Sequence, residues 1–381
     1  MEIKTVTPQM YGAKGDGKTD DSAAFQQAVD SGFDVYVPTT QKEKYIIKKT
    51  IKITNASCKR IYSEPFARRS NAGCIVADFT DADDPKKTAL FDINMCSFTL
   101  GGLRVLSQSV DDHRAGILIS AMNEKVCDYD IRIEHCSINN FYKVADMQGR
   151  GLEMLSSQFT SSNYLATLYW DDNKDTNKTH PAMYDQRAIA VKNCRLHNIS
   201  SGFITVKSGH AYGLHFEGNT IDNGRGYLIR ATEQAFGWNI SGNVIQGING
   251  DFDFMDFRKG MRNCVITGNT FLADEEYWPG AAGAVNTWLK CGGNTTACII
   301  NSNVFKNTNT NFIVLTNMDG STIVGNAMYA KTKPTGAAIN VTGTAKRSTI
   351  VGNAVAGTEN IKLLTKALPK TNTVIGNNPS A

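Results

Sequence analysis

The chain has 381 residues, 41% of them hydrophobic and 20% charged, with a formal net charge of +4. That length bounds the fold to one large core or two ordinary domains, and so small a charge excess does not call for a nucleic-acid partner. The opening Met1-Glu2-Ile3-Lys4 has no apolar h-region, and no apolar run approaches bilayer length, so neither a Sec signal peptide nor a membrane partner is expected. Nine cysteines form no CxxC pair, and several sit in apolar runs such as Cys264-Val265-Ile266. They read as free buried thiols kept in a reducing compartment, with no metal site and no cofactor.

In chain order, the first feature is the Gly-rich loop Tyr11-Gly12-Ala13-Lys14-Gly15-Asp16-Gly17-Lys18-Thr19-Asp20-Asp21. Behind it Asp21 or Ser22 can N-cap a helix whose buried stripe is Ala24, Phe25, Ala28 and Val29. The loop has some likeness to a Ca²⁺ loop but lacks the required downstream Glu, so Asp16, Asp20 and Asp21 read as structural. Val35-Tyr36-Val37-Pro38 and Tyr45-Ile46-Ile47 are β-forming runs. Next come two related segments, Ile131-Arg132-Ile133-Glu134-His135-Cys136-Ser137-Ile138 and Ile189-Ala190-Val191-Lys192-Asn193-Cys194-Arg195-Leu196, with a polar stretch between them at residues 170–185 that reads as a protruding loop.

The second half repeats one unit: β-formers, then Gly-Asn or a close variant, then an apolar residue. Leu214-His215-Phe216-Glu217-Gly218-Asn219-Thr220-Ile221 is the first strong copy, and Trp238-Asn239-Ile240-Ser241-Gly242-Asn243-Val244-Ile245 the second. Asn219, Asn243, Asn269, Asn303, Asn326, Asn353 and Asn377 follow one another at intervals of 24, 26, 34, 23, 27 and 24 residues. A unit this short cannot bury its own apolar face, whereas equivalent strands stacked coil on coil bury theirs jointly. The glycine permits a tight corner, and the asparagine can bond backbone there and stack into a ladder with its equivalents. Leucine-rich repeats need Leu-x-x-Leu-x-Leu, which is missing, and a propeller blade needs about 40 residues or more. The expected fold is therefore all-β, a right-handed single-stranded parallel β-helix with a short N-terminal capping helix. Residues 1–40 form the cap and lead into the first coil, and residues 41–381 form the β-helix with a loop excursion near 165–187.

The cap motif at residues 11–29, together with the repeats, closely resembles the pectate-lyase-like superfamily found in bacteriophage tailspikes and some bacterial polysaccharide enzymes. The resemblance covers nearly the whole chain. It implies a helix that lids the first coil and chemistry on outward side chains. It also implies a virion-borne depolymerase, made in the host cytoplasm, whose partners are a bacterial surface polysaccharide, other tail proteins and two further copies in a homotrimer.

Alternation locates that chemistry. In Ile339-Asn340-Val341 the apolar residues face inward, so Asn340 faces out, thirteen residues before Asn353. The same offset before Asn303, Asn269 and Asn243 falls on Lys290, Asp256 and Arg230, which would line one outward row. Glycoside cleavage generally needs two carboxyl groups. Of the nearby acids Glu233, Asp251, Asp253 and Asp256, the candidates are Glu233, Asp253 and Asp256. Tailspike hydrolases, to which the chain is similar, typically use Asp and Glu from adjacent coils. Equally, Asp256 can simply pair with Arg230 and Lys290. Arg230, Arg258 and Lys290 suit an acidic sugar. Tyr227, Trp238 and Trp288 are either stacking platforms for sugar rings or packing. His210 and His215 are further acid/base candidates, open to a structural role, and a lyase could use them with Lys207 or Arg230. No galacturonase constellation, Ser/His/Asp elbow, P-loop or zincin motif occurs. The expected activity is endo-hydrolysis of a capsule, exopolysaccharide or O-antigen, with β-elimination of a uronate polymer or non-catalytic glycan binding as the alternatives.

Overall fold

The structure is a computed structural model, and it describes residues 5–38, 44–64, 74–94, 97–110, 113–122, 128–148, 150–169, 189–207, 211–248, 250–273, 284–357, 361–364, 368–369, 371–375 and 378–379. The chain is all-β apart from short helical turns near its start, and its strands wind into three parallel sheets, the third taking two strands from several coils: a parallel β-helix. Two compact units emerge: residues Met1–Leu168 with Arg187–Ile199, and Tyr169–Gln186 with Ser200–Ala381. Among the described residues no helix is long and apolar enough to cross a membrane. The loop read at residues 170–185, His210 and Asn377 lie outside the described residues.

The first unit opens with the cap. Helix α1, Ser22–Asp30, buries Ala24, Phe25, Ala28 and Val29 as its apolar stripe requires. The Gly-rich segment is not only a loop: Asp16–Asp20 is a strand paired in parallel with Lys44–Ile47, because the second sheet offers it an open edge to complete. Asp21 sits at the N-cap but makes no side-chain cap. Its carboxylate instead accepts from the N–H of Lys14 at 2.7 Å and of Gly15 at 3.1 Å, pinning the loop. Asp16 accepts from the Lys18 and Thr19 N–H groups, and these bonds pull its carboxyl down to about 2. Asp20 accepts from the Ser22 N–H at 3.0 Å. The Ser22 hydroxyl then accepts from the N–H groups of Lys48 (2.8 Å) and Lys49 (3.1 Å), joining the cap to the coil beneath. Ser22→Ala leaves the Lys49 N–H without its side-chain acceptor and the Lys48 N–H with only the longer bond to Asp20 Oδ1 at 3.4 Å. A loss of about 1–3 kcal/mol is expected, read as a melting temperature a few degrees lower, with Ser22→Thr recovering most of it.

The second unit carries the regular repeat. Its first sheet runs Leu214–Glu217, Asn239–Ser241, Val265–Thr267, Ile299–Asn301, Thr322–Val324, Thr349–Val351 and Thr373–Ile375. The first six of these turn into the second sheet through a residue with positive φ: Gly218, Gly242, Gly268, Gly325 and Gly352 at 61–63°, and Ser302 at 53°. At Gly242 and Gly268 a Cβ would meet nothing within 4 Å, so glycine is used there for its dihedrals and not for room. The asparagine that follows points inward, fully buried. Asn243, Asn269, Asn303 and Asn326 each donate one Nδ2 hydrogen to the next asparagine's Oδ1 (2.8–2.9 Å) and another to a backbone carbonyl of the preceding coil. The Oδ1 of the next asparagine also accepts the backbone N–H of the one before, at 3.0–3.1 Å. In the first unit the corresponding inward positions are Cys136, Ser157 and Cys194, which explains why the repeat is fainter there.

Cores of both units are apolar ladders. In the second unit Phe271 stacks on Phe305 with ring centroids 5.0 Å apart and 7° between planes, and Phe254 meets Trp288 edge-on at 5.1 Å. All seven described cysteines are free and buried. Burial pushes the thiols of Cys58 and Cys136 up to about 12 and those of Cys74 and Cys194 to about 11, the behaviour of packing groups rather than nucleophiles.

Candidate active site

The third sheet of the second unit contains Gly202–Val206, Tyr227–Ala231, Gly250–Phe257, Val285–Thr296, Thr308–Asp319 and Ile339–Val341. Parallel register sets one outward residue above the next: Thr205, Arg230, Asp256, Lys290, Val314 and Asn340. The flanking Ile229, Ala231, Met255, Phe257, Leu289 and Cys291 are fully buried. The row expected from the thirteen-residue offset is therefore present. It also contains Val314, which stands twelve residues before Asn326, since that coil is short by one residue. Thirteen residues before Asn326 lies Ile313, a core residue.

Asp253 and Asp256 are an odd number of residues apart, so a regular strand would point them to opposite faces. The strand's register shift lies earlier, between Gly250 and Asp253, but the alternation also breaks after Asp253, where Phe254 and Met255 are both buried. Both carboxylates are partly exposed, their side chains 21% and 13%, and each meets an exposed cation. Along the strand their Cα atoms lie on the order of 10 Å apart.

Each candidate acid holds one cation. Asp256 Oδ2 accepts from Arg258 Nε at 3.1 Å, Asp253 Oδ2 from Lys290 Nζ at 2.7 Å, and Glu233 Oε1 from Lys259 Nζ at 2.8 Å. The pairing considered for Asp256 thus exists with a different partner, Arg258 in place of Arg230 or Lys290. Arg230 lies flat on Tyr227, its guanidinium carbon 4.1 Å from the ring centroid, and its Nε has no acceptor. Tyr227 is only 7% exposed, and its hydroxyl shares a hydrogen bond with Thr205 Oγ1. A Cβ on Gly202 would come within 2.4 Å of the Tyr227 ring, so only glycine lets that ring lie down on the sheet.

Two expected platforms are overturned. Trp238 is 1% exposed and packs edge-on against Phe257 at 5.4 Å, and Trp288 is 0% exposed. Trp288 precedes Lys290 by two residues, yet the alternation fails there: Thr287, Trp288 and Leu289 are all buried. Its indole N–H donates to the Asn307 carbonyl at 2.9 Å inside the core. Neither ring offers a face to a sugar. His215 sits on the first sheet, bonded through Nδ1 to Glu217 Oε1 at 2.8 Å, so it is not brought to the row. Lys207 Nζ bonds the Tyr169 hydroxyl at 3.1 Å. Among the described residues no group of three or more His, Cys, Asp or Glu is placed to hold a metal ion.

No family model matches the chain. Short stretches are similar to pre-neck appendage proteins of Bacillus phages. Identity is 48% over 48 residues with that of phage B103, or 13% of this chain and 5% of the relative. It is 64% over 33 residues with that of phage phi29, or 9% and 4%. The matches thus span a small part of those relatives' own length. In three dimensions the chain superposes on bacteriophage CBA120 tailspike protein 3 with a TM-score of 0.58 at 14% identity, covering 99% of this chain and 62% of that one. The fold is that of a phage tailspike. The Agl-KA catalytic domain shares it, with a TM-score of 0.53 at 13% identity over 99% of this chain and 69% of that domain.

On this tailspike fold, sequence reasoning missed Thr205, Lys259 and Gly202. Lys259 adjoins Arg258, but its reach to Glu233 depends on how one coil lies over the next. Thr205 and Gly202 carry no signal beyond lying on the strand that precedes Tyr227–Ala231.

Proposed function

We propose that the chain is the polysaccharide-cutting part of a phage tailspike, an endo-acting glycoside hydrolase of a bacterial capsule, exopolysaccharide or O-antigen. In this reading it is carried on the virion as a homotrimer joined to other tail proteins. The observation that supports it is the pair Asp253 and Asp256, both partly exposed on the strand between those of Arg230 and Lys290, and each met by an exposed cation. Hydrolysis with inversion uses two carboxyl groups spaced to admit a water, roughly 6.5–9.5 Å apart. One donates a proton to the leaving oxygen while the other takes one from the water. Two aspartates three residues apart on one strand suit that spacing, with Glu233 on the coil before as the third carboxylate.

The experiment is product analysis after incubation with a panel of host surface polysaccharides. Falling viscosity and new reducing ends, without the ultraviolet absorbance of an unsaturated uronide, are expected. That absorbance would make the protein a lyase, and glycan binding with no fragments at any pH would make it an adhesin.

A further inference from the structure

The outward row contains more cation than the acids around it consume. Asp253, Asp256 and Glu233 are each taken by a lysine or arginine, and none by Arg230. Among the described residues Arg230 has no carboxylate partner, although it stands in register directly beside Asp256. Its Nε–H is shielded from solvent and has no acceptor. A desolvated donor of this kind is costly to leave unmade. The rest of the guanidinium is braced: one face is covered by Tyr227, whose ring rests on Gly202 and whose hydroxyl is held by Thr205. A guanidinium fixed flat offers its edge as a planar fork, and the partner matching that fork in plane is a carboxylate.

We infer that Arg230 is a specificity-determining residue that receives a sugar carboxylate, so that the polysaccharide taken by this site is built from acidic units such as uronic acids. This rests on the proposed glycan-processing role of the same face and adds the substrate class to it. Tyr227, Thr205 and Gly202 position the guanidinium, and the ligand carboxylate meets its accessible edge.

The test uses the full chain and reads binding as well as cleavage. A panel of capsular and O-antigen polysaccharides, with and without uronic acid, is offered to the wild type. The best acidic polymer is then offered again after chemical reduction of its carboxyl groups to alcohols. Affinity for the native acidic polymer is expected to exceed that for its reduced form by roughly ten- to a hundred-fold. R230Q should lose the same factor on the native polymer and nothing further on the reduced one, the pattern of a direct contact in a double-mutant cycle. R230K, which keeps the charge without the fork, should recover part of it. Because no described carboxylate depends on Arg230, R230Q should melt near the wild-type temperature. A merely structural arginine would instead lower the melting temperature and weaken both polymers alike.

Binding confined to neutral polymers, no binding to any acidic polymer, or an R230Q variant indistinguishable from wild type on the native polymer each overturns the inference. The two proposals fail separately. A protein that binds acidic polymers through Arg230 without cutting them removes the hydrolase and leaves this inference standing. One that cuts neutral polymers equally well does the reverse.

Discussion

Asn303→Leu is expected to cost the protein at least about 3 kcal/mol, far more than its single side chain suggests. The substitution keeps the volume but removes an amide whose every hydrogen-bonding site is used. Asn269 loses the acceptor for its backbone N–H and for one Nδ2 hydrogen, and the Ile266 carbonyl loses its side-chain donor. All of these groups are buried, and each buried polar group left unpaired costs roughly 1–3 kcal/mol. Domains are stable by only about 5–15 kcal/mol, so the loss is a large fraction of the whole. Urea unfolding of the full chain checks it: the midpoint should fall steeply while the slope stays constant. The contrasting variant is Val304→Thr, the next residue along and 40% exposed, where a change within about 0.5 kcal/mol is expected. A loss under 1 kcal/mol at Asn303 would mean that the ladder decorates the corner without holding it.

That corner is also where the sequence was most readable. Gly-Asn recurs because two physical demands coincide at one place, a left-handed backbone and a buried amide that must satisfy itself. Few other dipeptides meet both, so the spelling is repeated: Gly242-Asn243, Gly268-Asn269, Gly325-Asn326. Ser302-Asn303 departs in the first residue and keeps the second, which marks the amide as the stricter demand. The cap stripe of Phe25, Ala28 and Val29 was legible for a similar reason, since helical spacing alone defines the face.

The outer face obeyed counting only where the strands are regular. Arg230, Asp256, Lys290 and Asn340 fell into one row because their coils keep the same length from outward residue to asparagine. Parity failed at Trp288, where Thr287, Trp288 and Leu289 are all buried, and after Asp253, where Phe254 and Met255 both are, and nothing in the letters announces which residue is out of step. Bulges are backbone events that redirect side chains, and period-two reasoning is blind to them. Ion-pair partners were equally hidden. Lys290 is in register with Asp256 but reaches Asp253, because a long flexible side chain chooses among several acids within its length.

Those pairings shape the test of the carboxylates. Asp253→Asn and Asp256→Asn should each lower the rate of polysaccharide cleavage by roughly a hundred-fold or more, the contribution of a positioned proton donor or acceptor. Glu233→Gln should fall as far only if the third carboxylate, and not one of the aspartates, is a member of the reacting pair. Loss of stability offers no alternative explanation for such a drop. The lysine facing Asp253 is 46% exposed and the arginine facing Asp256 is 53% exposed, and pairs at such sites contribute within about 1 kcal/mol. Melting temperatures of the amide variants should therefore stay close to wild type while turnover collapses and the affinity for intact polysaccharide persists. Arg258→Ala, which frees Asp256 without altering it, should change the rate far less than Asp256→Asn does. If all three amide variants keep more than a hundredth of the wild-type rate, the chemistry lies elsewhere on the molecule.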